Sequence, residues 1–84
     1  MSPRFRLCRV ETAAGHAGPG EPRRFLLQGR WLPVDAIEDR WYEGGVAPER
    51  ELVLYYRVVS GKGAFLLRFL PYFQRWQVLK VDGS

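Results

Sequence analysis

Sulfur and imidazole are almost missing from this chain, which has one cysteine, Cys8, and one histidine, His16, in 84 residues. A lone thiol excludes an internal disulfide framework, and one Cys with one His falls short of a zinc site. Such cysteine usage fits a reduced, cytoplasmic protein. No apolar run reaches the roughly 18 residues of a membrane span, and Met1-Ser-Pro-Arg-Phe-Arg6 has no hydrophobic signal region, so neither membrane insertion nor export is expected. Catalytic groupings are also lacking. The only clustered acids are Asp35, Glu38 and Asp39, beside Arg40 and without His or Cys support; they read as a solvated face paired to arginines. The expectation is a non-enzymatic domain with no metal and no cofactor.

What is present is aromatic and basic. Three Trp, four Tyr and five Phe suggest a dense core for this length. Residues 1–84 are expected to form one small domain, and a chain of this size buries only about 60% of its unfolded surface, so good packing or oligomerisation must supply stability. The net charge of +4 comes from eleven Arg and two Lys against nine acids, a balance that suits a polyanionic partner but also follows from GC-rich coding or selection for thermal stability.

The residues from Glu51 to Leu70 write a β-hairpin. Two runs rich in Val, Tyr, Phe and Leu flank Ser60-Gly-Lys-Gly63, with Gly61-Lys62 as the turn centre. If Ser60 pairs with Gly63, then Val58 faces Phe65, Tyr56 faces Leu67 and Leu54 faces Phe69, while Arg57 faces Leu66 and Tyr55 faces Arg68. One face is then Leu52, Leu54, Tyr56, Val58, Phe65, Leu67 and Phe69, which must be covered. The other carries Val53, Tyr55, Arg57, Val59, Ala64, Leu66, Arg68 and Leu70. It is too apolar for free solvation and too charged for a second core, and it allows the Arg68 guanidinium to lie over Tyr55.

Further strands are read from alternation. Phe5 to Val10 is the first, Arg24 to Gln28 the second, and Gly29-Arg30 a two-residue turn into Trp31 to Val34, where Pro33 demands an edge, a bulge or a solvent-facing side. Residues 34–42 fit a bent strand with a bulge near Asp35, with a short helix at 35–41 as the rival. Trp76 to Val81 is the last strand. Residues 12–22, rich in Gly and Pro and holding His16 as a solvated residue, are expected to be a flexible loop. Residues 43–50 are a loop and Pro71 to Arg75 a turn, with Tyr72 and Phe73 capping the core. Trp31, Trp41 and Trp76 are assigned to the core or to a barrel end. The sum is an all-β domain, a small antiparallel meander of about six strands rolled into a barrel or half-barrel.

Three segments, Gly29-Arg-Trp-Leu-Pro-Val-Asp-Ala-Ile-Glu-Asp-Arg-Trp41, Tyr55-Tyr-Arg-Val58 and Trp76-Gln-Val-Leu-Lys-Val-Asp82, together resemble a bacterial small-domain family of unknown function, over most of residues 24–82. That family occurs as stand-alone short proteins and as extensions of Y-family-like DNA polymerases, so the resemblance implies a role near DNA repair. Members often carry a Trp-rich segment where this chain has Gly44-Gly-Val-Ala-Pro48.

Two functions fit these features. One is a protein-interaction module, with another protein or a second copy as partner, that buries Val53, Val59, Leu66 and Leu70 with arginines at the rim. The other is a nucleic-acid-binding or DNA-repair accessory module, in which Arg57, Arg68 and Arg75 meet phosphates beside Tyr55 and Trp41.

Overall fold

The computed structural model describes residues 4–13, 20–44, 51–61 and 63–81. They form eight strands, β1 (Arg6–Cys8), β2 (Val10–Thr12), β3 (Pro22–Leu27), β4 (Arg30–Pro33), β5 (Ala36–Glu43), β6 (Val53–Ser60), β7 (Gly63–Leu70) and β8 (Arg75–Val81), with no helix among the described residues. All pairs are antiparallel. Five strands lie in one sheet, in the order β1-β8-β7-β6-β5, and three in a second, in the order β2-β3-β4.

Two corners join the sheets. At Arg9 the first strand stops pairing with β8 and starts pairing with β3, and the Arg9 carbonyl accepts the Leu26 amide at 2.8 Å. At Val34-Asp35 the chain turns from the small sheet to the large one; the Val34 amide donates to the Arg23 carbonyl and the Asp35 amide to the Val59 carbonyl, each at 2.8 Å. At Val34-Asp35 both amides keep an acceptor where the direction changes, as burial requires. The domain is the all-β antiparallel meander expected, but these corners turn about six strands into eight and lay them in two sheets, without a closed barrel.

The β6–β7 hairpin has the register read from its sequence, from Ser60↔Gly63 to Leu54↔Phe69. Elsewhere there are corrections. The β3–β4 turn is Gln28-Gly29, one residue earlier than expected, closed by the Leu27↔Arg30 pair. Both residues have φ > 0, 50° and 79°, the turn whose twist matches the flanking strands; Gly29 takes that conformation freely, and Gln28 at some steric cost. Pro33 sits on the edge strand β4, opposite Arg24, where its missing amide costs no ladder bond. The helical rival at 35–41 is overturned, because these residues pair with β6; the irregularity lies between Ile37 and Asp39, not at Asp35. Residues 14–19 of the expected flexible loop, with His16, lie outside the described residues, as do 45–50, Lys62 and 82–84.

The core lies between the sheets. Phe25 comes from the small sheet; Tyr56, Val58, Phe65, Leu67, Phe69, Trp76 and Val78 come from the large one. Phe25 meets Phe65 edge-on at 5.1 Å, and Trp76 packs against Tyr56 and Phe69 at 5.7 and 4.9 Å, the tilted geometry that aromatic quadrupoles favour. Of the residues expected on this face, Leu54 is half-buried and Leu52 exposed. Only Trp76 of the three tryptophans is in the core. Trp31 lies half-exposed beneath the Arg24 guanidinium, 4.6 Å from the ring centre, and Trp41 is on the opposite side of the large sheet. Nor do Tyr72 and Phe73 cap the core: they are 79% and 52% exposed and pack edge-on against each other.

Candidate interaction surface

The side of the large sheet that faces away from the core is built by strand alternation. Starting from Tyr56, Leu67 and Trp76 inside, the register puts Trp41, Tyr55, Arg68, Gln77 and Leu7 in one row across all five strands on the outside. The next row toward the hairpin turn is Asp39, Arg57, Leu66 and Leu79, and a further one is Ala36, Val59, Ala64 and Val81. Toward the other end come Glu43, Val53, Leu70 and Arg75. Val53, Tyr55, Val59, Leu66, Leu70, Leu79 and Val81 are each half-buried, while Leu7 is 63% and Trp41 38% exposed. No described layer covers them.

All five residues singled out from the sequence, Trp41, Tyr55, Arg57, Arg68 and Arg75, are therefore on one face. Their contacts differ from expectation. Tyr55 is opposite Arg68 in register, yet its ring stacks on Trp41 at 5.2 Å with the planes 7° apart. The Arg68 guanidinium lies instead 3.8 Å from the centre of the Phe5 ring, and its Nε donates to Gln77 Oε1 at 2.6 Å. Arg57 Nε reaches Glu38 Oε1 at 3.4 Å. Arg75 lies beside Leu7, Leu70, Phe73 and Gln77 around a shallow hollow of about 310 Å3.

The charge on this face is divided. The β5–β6 side holds Glu38, Asp39 and Glu43 against Arg57, and the β7, β8 and β1 side holds Arg68 and Arg75 with no carboxylate among the described residues. The acids of residues 35–39 each take a partner within the chain. Asp35 Oδ2 accepts the Gly61 amide at 2.6 Å, Glu38 takes Arg57, and Asp39 Oδ1 accepts the Arg40 amide at 2.8 Å.

Sequence reasoning missed Phe5, Leu7, Gln77 and Leu79 as members of this face. The signal was there for β8, because Trp76 and Val78 inward put Gln77 and Leu79 outward; for Phe5 and Leu7 it was not, since it depends on which strand lies next to β8. Cys8, on the core side of β1, has its thiol pushed up by burial to about 11, which leaves it protonated and unreactive at neutral pH. Among the described residues no three His, Cys, Asp or Glu side chains are grouped to hold a metal, and no helix is long and apolar enough to cross a membrane. Neither a family model, nor a curated protein, nor a solved structure matches this chain.

Proposed function

We propose that this domain is a non-enzymatic interaction module that self-associates through the outer face of its five-stranded sheet. The observation that carries this reading is the division of charge across an uncovered apolar face. Turning one copy about a two-fold axis parallel to β7 lays β5 and β6 of each copy over β1 and β8 of the other, so the acid-rich side of each meets the acid-free, basic side. Arg68 leans away from β7 toward Phe5, hence away from the axis and toward the opposing copy's acids. Leu66 and Leu70, on β7, fall at the centre.

The size is adequate. Five strands about 4.8 Å apart and about seven residues long at about 3.3 Å each give a footprint of ~550 Å2 per copy. Two copies together then exceed the ~1,000 Å2 expected of a specific interface. Arg57 and Arg75 flank the apolar centre, and Arg68, between Leu66 and Leu70 on β7, extends its guanidinium out of it toward Phe5, so that charge sits around an apolar middle. Phosphate binding on the same face is less well supported, because Arg57 and Arg68 already have partners in Glu38, Phe5 and Gln77.

The test is sedimentation equilibrium of wild type and Leu66→Glu. Finishing the burial of a half-buried Leu contributes about 1 kcal/mol per copy. Losing it from both copies weakens dimerisation about 30-fold or more, with circular dichroism unchanged. A wild-type protein that stays monomeric at high concentration refutes the reading.

A further inference from the structure

On the core side of the sheet, at the end near the Gln28-Gly29 turn, the two sheets part and leave a cleft of about 270 Å3 lined by Arg4, Arg6, Leu27, Gln28, Phe65, Val78 and Lys80. We propose that this cleft binds a phosphate group, held by Arg4, Arg6 and Lys80. This inference is independent of the self-association reading, since the cleft and the outer face lie on opposite sides of the large sheet.

The argument starts from an arrangement that is unfavourable when empty. Arg6 faces Val78 in register, and continuing that pairing brings Arg4 level with Lys80. Like charges directly opposed across strands destabilise a sheet. Arg4, two residues before β1 begins at Arg6, lines the same cleft as Arg6. All three cations line one cleft, and among the described residues no carboxylate lines it and none of the three forms an ion pair. Three other arginines are neutralised, Arg24 by Glu11, Arg40 by Glu21 and Arg57 by Glu38; what sets Arg4, Arg6 and Lys80 apart from the remaining cations is that they converge on one cleft.

The floor favours a charged ligand more than open solvent does. Phe65 and Val78 are buried and Leu27 half-buried, so the lower local dielectric strengthens attraction between the cations and an anion. Two guanidinium forks match the paired oxygens of a phosphate, and Lys80 adds a point charge. The Gln28 amide, at a turn whose φ of 50° holds that residue over the cleft mouth, adds an uncharged donor. The cleft is below the usual volume of a drug-sized site, which limits the ligand to one or two phosphates. These can be free, as in a pyrophosphate, or part of a single-stranded nucleic-acid backbone.

The experiment is a nuclear magnetic resonance titration of the full chain with sodium pyrophosphate and, separately, with a short oligothymidylate, at low and at physiological salt. The expected result is saturable shifts at residues 4, 6, 27, 28 and 80, with affinity reduced tenfold or more in Arg6→Gln/Lys80→Gln. Arg6→Lys, which keeps charge and loses the fork, falls between, and Arg23→Gln, an exposed cation elsewhere, is unchanged. Saturation by pyrophosphate alone assigns a small phosphate ligand. Tighter oligothymidylate binding, with log K falling by about 2 per decade of salt for three contacts, assigns a nucleic-acid backbone. Absence of shifts at these residues with both probes, or equal binding by the double variant, overturns the proposal.

Discussion

Replacing Phe25 by Ala tests how the two sheets are held together. Phe25 is fully buried and is the single fully buried large side chain that the three-stranded sheet contributes among the described residues; the rest of that sheet's apolar contact comes from half-buried Val10, Leu27 and Leu32. Removing a buried phenyl costs about 3–5 kcal/mol, lost transfer energy and residual cavity together. An 84-residue domain has only about 4–13 kcal/mol in total. The melting temperature therefore falls by at least about 12 °C, and the least stable variants unfold at room temperature. Phe25→Leu, which fills most of the space, costs about 1.5 kcal/mol or less. Urea unfolding followed by tryptophan fluorescence measures both, with Trp76 reporting on the core and Trp31 on the small sheet. A Phe25→Ala/Phe65→Ala cycle isolates the edge-on contact, expected at about 0.5–1.5 kcal/mol. If Phe25→Ala costs less than ~1 kcal/mol, the range of a surface position, then the small sheet is not packed on the large one and the core described above is wrong.

Two other outcomes follow from single contacts. Asp35→Ala removes the acceptor of the Gly61 amide, which ties the sheet corner to the hairpin turn; the expected loss is about 1 kcal/mol by thermal melting, and an unchanged midpoint counts against that bond. Cys8, held at about 11 against an ordinary 9.0, reacts with iodoacetamide at pH 8 far more slowly in the native protein than in urea. Because the unfolded chain loses the thiol proton first, stability falls as pH rises from about 9 to about 11; a slope that disappears in Cys8→Ser assigns it to this thiol, and one that persists does not.

Much of the fold was legible because it rests on local pattern. The β6–β7 register follows from period-2 alternation around one glycine-bearing turn, and a slip of one residue would send Val58, Leu67 and Phe69 into water. The β3–β4 turn was misplaced by one residue because glycine was read as the first turn position; the type of turn needs φ > 0 at both, and nothing in Gln28 announces that it will adopt it. The corner at Arg9 left no trace in periodicity, since an alternating strand reads the same whether or not it changes partners midway; Pro33 and the bend near Asp35 marked the one at Val34 only as an irregularity within a strand. The same limit hid the Arg68 contact. Cross-strand register puts Tyr55 beside Arg68, but Trp41 offers Tyr55 a parallel ring, and Phe5 reaches Arg68 only because β1 lies next to β8. Phe25, too, stood in a short run, Phe25-Leu-Leu27, where sequence does not say which side faces the other sheet.

The edges of the large sheet give a reason why the proposed association would use its face. Its two edge strands are β1 and β5. β1 is three residues long, too short to template another strand. β5 is eight residues long and would be a hazard if it were flat and apolar. It is neither, for it carries Glu38, Asp39, Arg40 and Glu43 and is irregular between Ile37 and Asp39, so its unpaired groups are charged and twisted away from a regular ladder. The same acids that discourage pairing at the edge form the negative side of the outer face. In the proposed self-association a second copy is thereby turned from the edge toward the face, where Arg68 and Arg75 of one molecule can lie against Glu38, Asp39 and Glu43 of the other with Leu66 and Leu70 between them. On this account, reversing the charges of Asp39 and Glu43 weakens association, and adding Arg68→Glu and Arg75→Glu to that variant restores part of it; a loss that the second pair of changes fails to relieve leaves the face apolar but not self-complementary.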